Sequence, residues 1–128
     1  MQRVFANLIL DVQSVERSVG FYRDALGFDV RDTDEWDGHH LAYVGTDGFE
    51  LLLLEQPIED QNPAIQRGGG LVMNFRVSGL SEMADALKRV PVQVLRDLEE
   101  PQYGDRTLLI ADPDGYAILL SEPVGTVH

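Results

Sequence analysis

The chain has 128 residues, 44% of them apolar, which suits one compact domain with a buried core. Ten Lys and Arg stand against 22 Asp and Glu, a net charge of −12 that excludes a protein gripping nucleic-acid phosphates or an anionic membrane through basic side chains. Cysteine is absent, so disulfides, thiolate metal sites and a cysteine nucleophile are excluded, and a reducing, cytoplasmic setting fits.

Val4 to Val12 is short and apolar and predicts a buried strand. From Ser14 to Gly27, Val15, Ser18, Val19, Tyr22 and Leu26 recur at helical spacing, with Ser14 placed to cap the start and Gly27 to end it. Phe28 to Arg31 is extended, and 32–38 is polar and turn-rich. Leu41 to Val44 and Phe49 to Leu54 predict two strands joined by a turn containing Asp47 and Gly48. Residues 57–70, with Gly68, Gly69 and Gly70 at the end, read as a connector. Three glycines before a strand rather than a helix are no phosphate-cradling loop. Leu71 to Val77 predicts a strand. Leu80, Met83, Ala84 and Leu87 mark an amphipathic helix. Val92 to Leu95 predicts a short strand, 99–106 a loop, and 107–121 a hairpin turning at Asp112 to Gly115. Leu51 to Leu54 is the longest Leu, Ile and Val run, far short of the ~20 residues of a membrane span, and no signal peptide is expected at the N-terminus.

The second half repeats the order of the first. Val12 maps onto Val77 at an offset of 65, and an offset of 67 carries 41–55 without a gap onto the last hairpin. That shift pairs Asp47 and Gly48 with Asp114 and Gly115, Leu52 with Leu119, and Glu55 with Glu122. The expected units are 4–56 and 71–123 within a single domain, 1–128.

Val12 to Phe28, with Ser18, Phe21, Tyr22, Leu26, Gly27 and Phe28 in place, resembles the first-helix signature of the vicinal oxygen chelate superfamily. This is the glyoxalase, bleomycin-resistance and extradiol-dioxygenase group. Asp112 to Tyr116 resembles its last hairpin, and Tyr103 and Gly104 the loop before it. The resemblance implies an α+β fold of two tandem βαβββ units whose curved mixed sheets enclose a cavity.

It also implies where a metal would be held in metal-dependent members: one donor in each unit's first strand and one in its last. Those positions here are Asn7, Val72, Leu52 and Leu119. Valine and leucine have no lone pair to offer, and a divalent ion wants nitrogen or oxygen donors. No metal and no cofactor is therefore expected. The adjacent His39 and His40 point to opposite faces of a strand and cannot chelate together, and His128 is the last residue.

Alternation places Asn7, Ile9 and Asp11 on one face, with Val72, Asn74 and Arg76 their equivalents. Glu50, Leu52 and Leu54, and Ala117, Leu119 and Ser121, share the corresponding last-strand faces. The expected ligand-binding set is Asn7, Ile9, Asp11, Tyr43, Glu50, Leu52, Asn74, Arg76, Tyr103 and Leu119. Asp11 and Arg76, repeat-equivalent and opposite in charge, are candidates to pair. Trp36, Tyr43, Tyr103 and Tyr116 are candidates to stack on a planar ligand, although packing in the core explains such residues more often. Arg106 is a candidate for an anionic group, against a plain surface role.

Two functions follow, besides a dimeric interaction or regulatory module that holds no small ligand. One is a metal-free, homodimeric binding protein of the bleomycin-resistance type, holding an apolar or aromatic ligand, a cationic one by the acidic balance. The other is a glyoxalase-like lyase, isomerase or dioxygenase with Glu50 as acid or base, or with a non-standard metal site. A dry pocket would make Leu52→Glu with Leu119→Glu cost several kcal/mol, as an order of magnitude.

Overall fold

The computed structural model describes residues 1–36, 38–55, 67, 69–101 and 104–124. They form two compact units, Met1–Arg67 and Gly68–His128. The first contains β1 (Leu8–Val12), α1 (Val15–Gly20), β2 (Asp29–Trp36), β3 (His39–Thr46) and β4 (Phe49–Glu55). The second contains β5 (Val72–Arg76), α2 (Leu80–Leu87), β6 (Gln93–Glu99), β7 (Gly104–Ala111) and β8 (Ala117–Val124). The sheets run β1-β4-β3-β2 and β5-β8-β7-β6, so each unit is a βαβββ motif. In each, the first and last strands pair in parallel and the other pairs are antiparallel. The helix follows the first strand, as a parallel pair requires a long crossover rather than a tight turn.

Each helix covers one face of its sheet. In unit one, Leu10, Val12, Ala42, Val44, Leu51 and Leu53 are buried beneath Val15 and Tyr22. In unit two, Ile110, Ile118 and Leu120 lie beneath Leu80, Ala84 and Leu87. Ser14 caps α1 by accepting from the Arg17 N–H at 3.2 Å. The helix expected to reach Gly27 is α-helical only to Gly20 and then widens into a π-helical turn, Phe21–Ala25. That turn sends Tyr22 into the core against Phe28, with ring centroids 5.8 Å apart.

Strands extend further than the polar sequence suggests. Residues 32–36, read as turn-rich, continue β2, because hydrogen bonding to β3 fixes an edge strand whatever its polarity. Charged edges also discourage pairing with another chain. The expected loop 99–106 shrinks, since β6 runs to Glu99 and β7 begins at Gly104. In the other direction, the apolar stretch from Val4 yields a strand only from Leu8.

The repeat is real but not gapless. Thr46 pairs with Phe49 across the two-residue turn of Asp47 and Gly48, where Gly48 takes φ +72°. Ala111 pairs with Ala117 across five residues. There the Asp112 carboxylate accepts from the Asp114 and Tyr116 N–H groups, both at 2.9 Å. Val44 lies opposite Leu51 and Ile110 opposite Ile118, so β3 maps onto β7 at 66 while β4 maps onto β8 at 67. One residue has entered the second hairpin's turn.

Glu55 and Glu122 end equivalent stretches and do equivalent work. Glu55 Oε1 accepts from the Val15 N–H at 2.9 Å. Glu122 accepts from Gly79 N at 2.6 Å and Leu80 N at 3.1 Å. Each carboxylate holds the start of its unit's helix from the far strand. The Gly79 and Leu80 N–H groups, with smaller help from Arg106 and against the effect of burial, hold the Glu122 carboxyl below its ordinary range. A lowered folded-state value means that the unfolded chain takes the proton first. Glu122 therefore stabilises unit two above the ordinary carboxylate range, and this contribution disappears as pH falls through the folded value. The expected result is that Glu122→Gln lowers the thermal midpoint at neutral pH and that the gap from wild type closes in acid. A gap of constant size across the titration would show that the charge does not contribute.

Candidate functional site

The face of each sheet away from its helix carries Ile9, Asp11, Tyr43, Glu50 and Leu52 in unit one and Asn74, Arg76 and Leu119 in unit two. In β1, Leu10 and Val12 are buried while Ile9 stays 58% exposed, so Ile9 and Asp11 point to the open side. In β4, Leu51 and Leu53 are buried and Leu52 and Leu54 are half-buried. Ile9 lies beside Leu52, and Leu52 opposite Tyr43, which in turn pairs with Asp32. The next row joins Asp11, Leu54, Leu41 and Asp34. The result is an aliphatic strip with one phenol ring and carboxylates at its margins.

Unit two repeats the arrangement. Val72 is 59% exposed and lies beside Ala117, Asn74 beside Leu119, and Leu119 opposite Leu109. The Ser121 hydroxyl, buried, donates to Asn74 Oδ1 at 2.8 Å. Asn7 precedes β1 and is half-buried.

The charged groups find partners that the sequence did not reveal. Asp11 is ion-paired to Arg67 at 2.6 Å, and Arg76 to Asp105 at 3.4 Å, so each member of the expected Asp11–Arg76 pair has a partner within its own unit. Glu50 is half-buried beside Arg31, whose Nη1 lies 3.3 Å away and whose Nη2 donates to the Thr46 carbonyl at 2.8 Å. Gly45 makes this possible: a Cβ there would stand 3.0 Å from the Arg31 guanidinium and would clash with the Phe49 carbonyl. Arg31 and Arg67 are the residues that sequence reasoning missed, because each reaches its carboxylate from a distant stretch of chain. Tyr116 is buried in the core and Arg106 pairs with Glu122 on the helix side, so neither lines the open face. Tyr103, His128 and most of the connector lie outside the described residues, as does the Trp36 side chain.

The match to the family model of the glyoxalase/bleomycin resistance protein/dioxygenase superfamily spans residues 5–120. The chain belongs to this superfamily. Among solved structures, trypanothione-dependent glyoxalase I of Leishmania major is 20% identical, covering 94% of this superfamily member and 87% of the enzyme, with a TM-score of 0.76. TnmS3, an antibiotic binding protein from Streptomyces sp. CB03234, is 21% identical over 97% of this chain and 100% of its own, with a TM-score of 0.70. TioX from Micromonospora sp. ML1 is 16% identical over 98% and 100%, with a TM-score of 0.69. At these identities the likeness establishes the fold.

Metal-dependent members of the superfamily would need donors at Asn7, Val72, Leu52 and Leu119. Side chains of valine and leucine cannot coordinate, and a single amide oxygen is a poor ligand for a divalent ion. The residues present do not fit such a metal. Among the described residues, no three His, Asp or Glu side chains converge as a metal site. No described helix is long and apolar enough to cross a membrane.

Proposed function

We propose that this superfamily member is a small-molecule-binding protein that works without a metal, holding an apolar or aromatic ligand on its open sheet faces. The observation that carries this reading is the replacement of metal donors by half-exposed aliphatic groups, Leu52 beside Ile9 and Tyr43, and Leu119 beside Leu109. Carboxylates at the margin, Asp32 and Asp34 among them, favour a ligand with a cationic group. The net charge of −12 acts in the same direction over longer range. TnmS3, an antibiotic binding protein, shares the fold and supports a small-molecule ligand. We take the working form to be a homodimer, in which a second copy completes a groove over these faces. A chain without cysteine suits a reducing compartment such as the cytoplasm.

The test has two arms. Protein purified without chelator, then offered nickel, zinc, iron and manganese, is expected to hold no stoichiometric ion. Cationic aromatic compounds are expected to raise the thermal midpoint with concentration, as a ligand of the folded state must. Tight binding of one metal per chain would overturn the reading in favour of the enzymatic alternative. In that alternative Glu50, held against Arg31, would be the acid or base.

A further inference from the structure

Unit one has a cleft of about 680 Å³ between α1 and the ends of β2, β3 and β4, and it reaches Asp34 and Leu41 at the edge of the open face. Val15 and Val19 of α1 form an apolar wall, and Glu16, Glu35, His40 and Glu55 line the rest with their neighbours. Unit two provides a comparison built on the same framework. There the ground between α2 and β6 leaves about 250 Å³, lined by Ala84, Leu87, Val94 and Leu108.

The two units also differ in how they neutralise the helix-holding carboxylate. In unit two both oxygens of Glu122 are engaged, and Arg106, directly opposite on β7, donates from Nη1 to Oε1 at 3.1 Å. In unit one Glu55 accepts from Val15 N through Oε1, and among the described residues Oε2 has no hydrogen-bond partner. The position opposite Glu55 on β3, next to the Leu41–Leu54 pair, is His40. Histidine is shorter than arginine and lacks its permanent charge and its planar fork of donors. Arg23 also lines the cleft but is paired with Asp24 at 2.8 Å. Residues 56–66, which follow Glu55, contain no Lys, Arg or His. The cation that unit two supplies from its own chain is thus missing in unit one, where a cavity stands in its place.

We propose that this cleft binds an organic amidinium or guanidinium cation. Its planar head takes at Glu55 the place that Arg106 takes at Glu122, and its apolar body lies on Val15 and Val19. The site centres on Glu55 and His40 rather than on Leu52 and Leu119, and it does not depend on the function proposed for the open face.

The test compares benzamidine with its neutral isostere benzamide by calorimetric titration of the full chain. Benzamidine is expected to bind saturably, and benzamide at least about tenfold more weakly, the worth of a charge-assisted hydrogen bond. His40→Arg rebuilds the pairing of unit two and is expected to abolish benzamidine binding in a folded protein. Glu55→Gln keeps an acceptor for the Val15 N–H and is expected to weaken binding by a similar factor. Equal binding of the two compounds, no saturable binding of benzamidine, or full affinity retained in both His40→Arg and Glu55→Gln would overturn the proposal.

Discussion

Replacing Leu52 and Leu119 together by glutamate is expected to abolish binding of an apolar ligand while leaving the protein folded. Each leucine occupies the centre of its unit's open face, beside Ile9 and Tyr43 in one sheet and beside Asn74 and Leu109 in the other. Burying a leucine against a ligand is worth roughly 1.5–3 kcal/mol, so losing two such contacts weakens binding by at least about a hundredfold, before any cost of desolvating two carboxylates. The effect on folding is smaller than a dry pocket would impose. Both side chains are half-buried in this chain, so a carboxylate in either place keeps contact with water. The several-kcal/mol cost belongs to a dry pocket, and a half-buried position incurs less of it. Equilibrium titration with an aromatic compound from the thermal screen that still binds the His40→Arg variant, together with a melting curve, separates the two effects. Unchanged affinity in the folded double variant would rule out the open faces as the ligand site.

The second large effect is on stability. Tyr22→Ala is expected to destabilise the protein by about 3–5 kcal/mol, the range for removing a large aromatic side chain from a core. Tyr22 has no exposed surface, its ring stacks on Phe28 and meets Phe21 edge-on at 5.0 Å, and its carbonyl accepts from the Phe28 N–H at 2.9 Å. Phe28 in turn contacts Phe49 at the start of β4, so the cavity would open where helix, turn and sheet meet. Against a total stability of roughly 5–15 kcal/mol this is a large share. Urea unfolding monitored by circular dichroism measures it, and a loss under about 1 kcal/mol would show that this aromatic cluster does not anchor unit one.

Much of the site was legible because strand geometry has so short a period. Once Val12 and Val77 were matched, alternation alone put Ile9, Leu52, Val72 and Leu119 on the faces where the structure finds them exposed or half-buried. The equivalence of Glu55 and Glu122 was also visible by counting, although their shared task of holding a helix start was not. A carboxylate recurring at the same place in both repeats, ahead of no obvious partner, was the available signal. The π-helical turn left no trace in the spacing, since Val15, Val19, Tyr22 and Leu26 suit an ordinary helix equally well. The one-residue slip between β3 and β7 was hidden because the two turns share an Asp and a Gly at matching numbers while closing different loops.

By itself, the sequence determined the repeated βαβββ order, the faces of the strands and the aliphatic side chains at Leu52, Val72 and Leu119. Those follow from local periodicity and from the atoms each side chain carries. Only the tertiary structure decided which charges meet: Arg31 with Glu50, Arg67 with Asp11, and Arg106 with Glu122 but not its counterpart Glu55. Such pairings join positions 16 to 56 residues apart. Their geometry depends on how strands bring distant residues together, which no local pattern encodes.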